Sequence, residues 1–182
     1  MLVQQCGFKM IKTDNIYLDH AASMPIDKRV FDYAKPYLVH AGNPSSLYEF
    51  GQEAKEKMED ARKKIATFIN AESEKTIIFT SNATEANNLA IHGTALRNRK
   101  NGKNVLSSAI EHISVINPMK SLAKEGWTYE TIPVDKQGIV DLKKLNQLLS
   151  KETIITSVNY ANNEIETIEP IKKISDIVHD KG

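Results

Sequence analysis

Thr76-Ile77-Ile78-Phe79-Thr80-Ser81-Asn82-Ala83-Thr84-Glu85-Ala86-Asn87-Asn88-Leu89 passes from one backbone preference to another within a few residues. Ile77 to Thr80 is β-branched and aromatic, and reads as a short buried strand. Ser81 to Thr84 is small and polar, and a helical pattern with apolar residues at Ala86, Leu89 and Ala90 follows. A strand that turns into a helix through small hydroxyl residues can hold an anion. The first helical turn has unpaired N–H groups at the positive end of its dipole, and the hydroxyls add donors. The expectation is a phosphate cradle, and the rest of the chain decides whose phosphate it holds.

Composition narrows the possibilities. The 182 residues are 41% hydrophobic and 26% charged with a net charge of +1, an ordinary globular balance. That charge gives no electrostatic reason to expect nucleic acid or an acidic membrane surface as a partner. Cys6 is the single cysteine, which excludes an internal disulfide and a multi-cysteine metal site within one chain. Nothing near it would activate its thiol, so it reads as incidental. No apolar run approaches the roughly 18–20 residues of a membrane span, and the opening lacks a secretory core, so the cytoplasm is the expected compartment.

The chain divides by pattern into a loosely ordered leader at 1–15, an N-terminal helical segment at 16–70 and an α/β region at 71–182. Ile16 to Pro25 is a short strand-like run, and Asp27 suits the cap of a helix with Val30, Phe31, Ala34 and Leu38 on one face. Pro36 should bend or end that helix early. His40 to Ser46 is a loop by its turn residues. The longest helical pattern lies between Ser46 and Asn70, where Phe50, Ala54, Met58, Ala61, Ile65 and Phe68 recur at helical spacing and the charged side is a solvated face. After the cradle come a helix to about Asn98, a strand at 104–108, and a helix at 114–124 containing Pro118 and closed by Gly126. A strand at 127–134, a turn at 135–138, a helix at 141–149 capped by Asp141 and a strand at 153–158 follow. Pro170 starts a last helix over 171–181, with Gly182 as its stop. This alternation predicts an α/β fold with a largely parallel, buried sheet, whose ligands gather at the C-terminal strand ends.

Three words stand at those strand ends: Ser81-Asn82-Ala83-Thr84-Glu85, Ile110-Glu111-His112 and Tyr160-Ala161-Asn162-Asn163-Glu164. They place a phosphate-type turn, an imidazole and a pair of carboxamides on one rim. A lone histidine past a strand is usually an ordinary packing residue; the companions of His112 raise its standing.

With Tyr17-Leu18-Asp19-His20-Ala21-Ala22, Gly42-Asn43-Pro44-Ser45-Ser46, Phe79 to Glu85, Glu111-His112 and Asn162-Asn163-Glu164-Ile165 in this order, the chain resembles the N-terminal part of a cysteine desulfurase. That family belongs to the pyridoxal-phosphate fold type I, class-V aminotransferase-like group. The resemblance spans roughly residues 16 to 182, and implies a fold type I large domain, with a mostly parallel sheet and flanking helices, incomplete at its C-terminus. It implies pyridoxal phosphate as cofactor, with the phosphate at Ala83 and Thr84 and the ring of His112 stacked on the pyridine. In the family that histidine is also proposed to move protons. Asn163 would bond the phenolic oxygen of the cofactor and help place the substrate carboxylate, with Asn43 and His20 to Ala22 near the entrance. A flat aromatic cofactor suits a stacking ring, and its phosphate suits donors. The implied partners are L-cysteine, a sulfur-acceptor protein serving iron–sulfur cluster or thio-cofactor synthesis, and either a second copy in a homodimer or a complementing C-terminal half.

The sequence departs from that family in several places. Asn82 stands where the phosphate word usually begins with glycine, and Glu166 where glycine usually follows Asn-Asn-Glu-Ile. No Ser-x-His-Lys word carrying the Schiff-base lysine occurs, nor do the partner aspartate of the pyridine nitrogen, the substrate-binding arginine or the mobile-loop cysteine. Cys6 matches none of them by position. The chain by itself is therefore expected to be inactive, to hold the cofactor weakly and without covalent linkage, and to be oligomeric or poorly soluble. A non-catalytic remnant or interaction module of the same fold is the alternative. A doubly wound domain for some other phosphate compound is a third reading, disfavoured by the absence of a Gly-x-Gly-x-x-Gly or Gly-x-x-x-x-Gly-Lys word.

Overall fold

The computed structural model describes residues 16–40 and 42–181; the expected leader, Cys6 and Gly182 lie outside the described residues. The chain divides into two compact units, 1–55 and 56–182. The first unit holds α1 (Lys28–Val39) and the beginning of α2 (Glu49–Phe68). Asp27 caps α1 as its position suggests, accepting the Arg29 N–H and both an Nε–H and an Nη2–H of the Arg29 side chain. Pro36 does not end α1 early, because it stands at the start of the final turn and the helix closes at Val39.

The second unit is built on three strands, β1 (Asn104–Ser108), β2 (Thr128–Ile132) and β3 (Thr153–Ser157), in the order β2-β1-β3 with both pairings parallel. Val105 lies opposite Tyr129 and Ile155; the β1–β2 pairing keeps one register, whereas the β1–β3 pairing shifts by one residue between Asn104, opposite Thr153, and Val105. Alternation along β1 sends successive residues to opposite faces. Val105 joins Ile91 and Ala95 of α3 (Ala83–Asn98), Val115, Met119 and Leu122 of α4 (Ile113–Lys124), and Trp127. Leu106 joins Ile132, Val140, Leu145 of α5 (Leu142–Leu148), Leu149, and Ile174 of α6 (Ile171–His179). Helices on both faces of a parallel sheet are the layering that the alternation of elements predicts. β1 is buried throughout, whereas β3, at the edge, is only half-buried.

Helix ends follow local chemistry. Asp141 accepts from the Lys143 and Lys144 N–H groups to start α5. Gly126, at φ +86°, ends α4 and lets the Trp127 N–H reach the Leu122 carbonyl. The turn at 135–138 forms as expected, with Asp135 Oδ1 accepting from Gln137 and Ile139 N–H, Gly138 at φ +82° and an antiparallel bridge between Val134 and Val140. The last helix stops at His179, two residues short of the expected end.

The strand expected before the cradle does not form. Ile77 to Thr80 is not a buried strand: a 3-10 turn at Glu74–Thr76 leads into extended backbone with no strand partner among the described residues. Ile78 is 67% exposed and Phe79 46%. Arg62 of α2 holds this segment instead, donating to the Ile77 carbonyl and lying 4.7 Å from the centre of the Phe79 ring. β-Branched residues supply the preference for extended backbone; a strand also needs a neighbour with free ladder groups, and none among the described residues lies beside these.

Candidate active site

The segment after Thr80 is where the site begins. Asn82 is the N-cap of α3, and its Oδ1 accepts the Glu85 N–H at 2.9 Å. Its φ is −167°, ordinary extended backbone, so nothing at this position requires glycine or left-handed geometry. The Ala86 N–H bonds the Asn82 carbonyl, and Glu85 Oε2 takes both the N–H and the hydroxyl of Ser81 at 2.7 Å. These two bonds from Ser81, its hydroxyl first, hold the Glu85 carboxyl below its ordinary range. What remains is specific. The Ala83 N–H, the Thr84 N–H and the Thr84 hydroxyl have no partner among the described residues.

His112 is the N-cap of α4, immediately past β1, and its Nδ1 accepts the Ser114 N–H at 3.1 Å. Asn87, about one helical turn beyond Thr84, donates from Nδ2 to Ser114 Oγ at 2.8 Å. The start of α3 and the His112 turn are thus tied by side chains. On the other side of His112, Glu111 is buried, with Oε1 accepting the Ser108 hydroxyl at 2.8 Å and the Asn159 N–H at 2.5 Å. Asn162 donates from Nδ2 to the Ile110 carbonyl and accepts the Glu164 and Ile165 N–H groups on Oδ1. Through Glu111 and Asn162, the loop after β3 is clamped to the loop after β1.

The clamp separates the two carboxamides. Asn162 is spent on holding the loop, whereas Asn163 makes no hydrogen bond to a described residue. Asn163 and His112 line one hollow of about 200 Å³, with Ile110, Glu111, Asn162 and Glu164 around them. Asn43 belongs to the first compact unit, where its Oδ1 accepts the Ser45 N–H and its carbonyl the Ser46 N–H. Glu166 is exposed and sits at φ +59°, within the same Asn162-to-Glu169 loop. Farther along, Glu169 is buried with Oε2 accepting the Val140 N–H, and burial pushes its carboxyl up.

The class-V aminotransferase model matches residues 16–182. The chain belongs to that family. Among the relatives it resembles are the cysteine desulfurase IscS 1 of Archaeoglobus fulgidus, 51% identical over 91% of this chain and 44% of that protein, and the cysteine desulfurase IscS of Dictyoglomus turgidum, 46% identical over 89% and 41%. Solved structures similar to it include a NifS-like protein, 35% identical with a TM-score of 0.87 over 92% of this chain and 46% of that one. SspA in complex with cysteine matches at 30% identity and a TM-score of 0.84, over 91% and 48%. The chain thus spans under half the length of these relatives, and the fold described above is a partial domain of the pyridoxal-phosphate-dependent type I fold.

Sequence reasoning singled out Ala83, Thr84, His112 and Asn163, but missed the residues that arrange them. Ser114 and Asn87 carry no signal beyond a small hydroxyl two residues past a histidine and a carboxamide within a helix. Glu111 was legible only as half of a motif, because burial of a carboxylate is a property of the folded chain.

Proposed function

We propose that this chain carries the phosphate- and ring-binding wall of a pyridoxal-phosphate-dependent cysteine desulfurase, in which L-cysteine and an acceptor thiol give alanine and a persulfide. The observation that carries the reading is the donor set left over at the start of α3. Two adjacent N–H groups and one hydroxyl lack acceptors among the described residues, while the next donor, the Glu85 N–H, is already capped. That set suits a phosphate. The cofactor, when bound, supplies the electron sink for breaking bonds at the substrate's α-carbon and β-carbon.

The chain's own residues would do the following. Ala83 and Thr84 bind the phosphate. His112 offers a flat ring and, at Nε2, a site where a proton is held or moved. Asn163 lines the hollow with a carboxamide that bonds no described residue, and would serve a phenolic oxygen and a carboxylate. Asn43 is assigned to the substrate side by resemblance alone. The Schiff-base lysine word and the sulfur-accepting cysteine word do not occur in this sequence, so desulfuration requires a complementing polypeptide or a longer product, and the cofactor is held here without covalent linkage. L-Cysteine and a sulfur-acceptor protein are the partners of the complemented enzyme, which we place in the cytoplasm as a dimer.

Titration of the chain with pyridoxal phosphate, followed by absorbance and by borohydride reduction, tests this. Saturable binding without a borohydride-fixed adduct is expected. Thr84→Ala should weaken it by about 10- to 100-fold, the loss of one hydrogen bond to a charged group. Pyridoxal lacking the phosphate should be indifferent to the substitution. Equal affinity of Thr84→Ala and the parent chain would remove the cradle, and a stoichiometric lysine adduct would remove the noncovalent reading.

A further inference from the structure

Three groups meet behind His112. Ser114 N–H and Ser114 Oγ lie 3.1 Å and 2.7 Å from His112 Nδ1, and Asn87 Nδ2 lies 2.8 Å from the same Ser114 Oγ. Ser114 is buried and Asn87 half-buried, so the inner end of this chain of bonds is shielded although the His112 ring itself is exposed. From this we infer that Asn87 and Ser114 are positioning residues that fix His112 in the tautomer with its proton on Nε2.

The argument is one of proton counting. A backbone N–H can only donate, so the Ser114 N–H aimed at Nδ1 requires a lone pair there and no proton. The Ser114 hydroxyl has one proton and two lone pairs. If it gives the proton to Nδ1, a lone pair remains to accept from Asn87 Nδ2, and every contact is a donor facing an acceptor. If Nδ1 carried the proton, it would face the Ser114 N–H as donor against donor. The polarity therefore runs one way, from the Asn87 amide to the Ser114 hydroxyl to His112 Nδ1, and the ring presents Nε2–H to its surroundings. Such outer partners set which ring nitrogen holds the proton.

The consequence deepens the proposed function and rests on it. Asn87 and Thr84 share the first turns of α3, so the helix that offers donors to a phosphate also orients the imidazole. A ring whose Nδ1 is engaged by two donors exchanges protons only through Nε2. In the proposed enzyme, His112 would thus work as a donor at one fixed atom, with its ring plane held by the start of α4.

The test needs no cofactor. The whole chain, labelled with ¹⁵N in its histidine rings, is measured by long-range ¹H–¹⁵N correlation, with His112→Gln identifying the resonance. A pyridine-like Nδ1 and a pyrrole-like Nε2 are expected for the neutral ring. Ser114→Ala removes the hydroxyl but keeps the N–H, and should move the tautomer ratio about fivefold toward Nδ1–H, the effect of one hydrogen bond. Asn87→Ala should move it in the same direction by less, and Ser114→Thr should restore it. Protonation on Nδ1 in the parent chain, or a ratio unmoved by Ser114→Ala, overturns the inference. Failure of pyridoxal phosphate to bind would instead overturn the proposed function, and leaves the tautomer measurement standing on its own.

Discussion

Glu166 occupies backbone that a side chain dislikes. Its φ of +59° lies in the left-handed region, which costs a residue with a Cβ roughly 1–2 kcal/mol. The conformation is imposed by its neighbours: the Glu166 N–H bonds the Asn162 carbonyl, and the Asn162 N–H bonds the Thr167 carbonyl. The Thr167 hydroxyl is in turn held by the Gln137 carbonyl at 2.6 Å. The carboxylate itself is exposed and has no partner to lose among the described residues. Glu166→Gly should therefore stabilise the chain by about 0.5–1 kcal/mol, the relieved strain less the extra entropy glycine loses on folding. Thermal unfolding should show a midpoint raised by about 2–3 °C, and a lowered midpoint would mean that the side chain is held by something the loop geometry hides. The departure from glycine was visible in the sequence, but its physical meaning was not. The backbone angle follows from three hydrogen bonds that join residues 137, 162, 166 and 167, and no local pattern announces them.

At the scale of the element, α3 shows how a cap can divide labour. Asn82 satisfies the Glu85 N–H and Glu85 reaches back to Ser81, so the helix start is stabilised without using the Ala83 and Thr84 donors. Asn82→Ala should cost about 1 kcal/mol in chemical denaturation, whereas Asn82→Gly should cost only a few tenths. If the two variants were equally destabilised, side-chain capping would not be what fixes this end. Helix starts of this kind were readable in advance because the signal is local: Asp27, Asp141 and the small-residue run before Ala83 all mark real starts. The strand expected at Ile77 to Thr80 was not readable, because the same β-branched residues are compatible with a paired strand and with a lone extended segment pinned by Arg62. The site divides the same way. Donor types at strand ends were legible, but the clamp made by Glu111 and Asn162 joins residues about fifty positions apart and exists only once β1 and β3 pair.

For the whole molecule, the question is what covers the sheet. The layered order of β2, β1 and β3 with helices on each face follows from the alternation of patterns along the sequence, and the buried residues of β1 divide cleanly between the two cores. The outer edge of β3 has no neighbour among the described residues, and beside it a hollow of about 500 Å³ is lined by Ile91, Ile154, Ile155, Val158, Ile171 and Val178. Unpaired ladder groups beside apolar side chains form a template for another chain, and β3 carries no charged residue or proline to discourage that pairing. Within the first unit, Ile16, Leu18, Val30, Leu38 and Leu47 are each more than half exposed, so that unit adds apolar surface of its own. Each unit by itself thus presents a surface that water solvates poorly, and association removes it. Sedimentation velocity across a range of concentrations should accordingly show the purified 182-residue chain populating dimers or larger species, and raising the salt should not disperse them, since apolar contacts survive screening and a net charge of +1 leaves little repulsion between copies. A single species with the mass of one chain at every concentration would show that these surfaces are covered within the molecule itself.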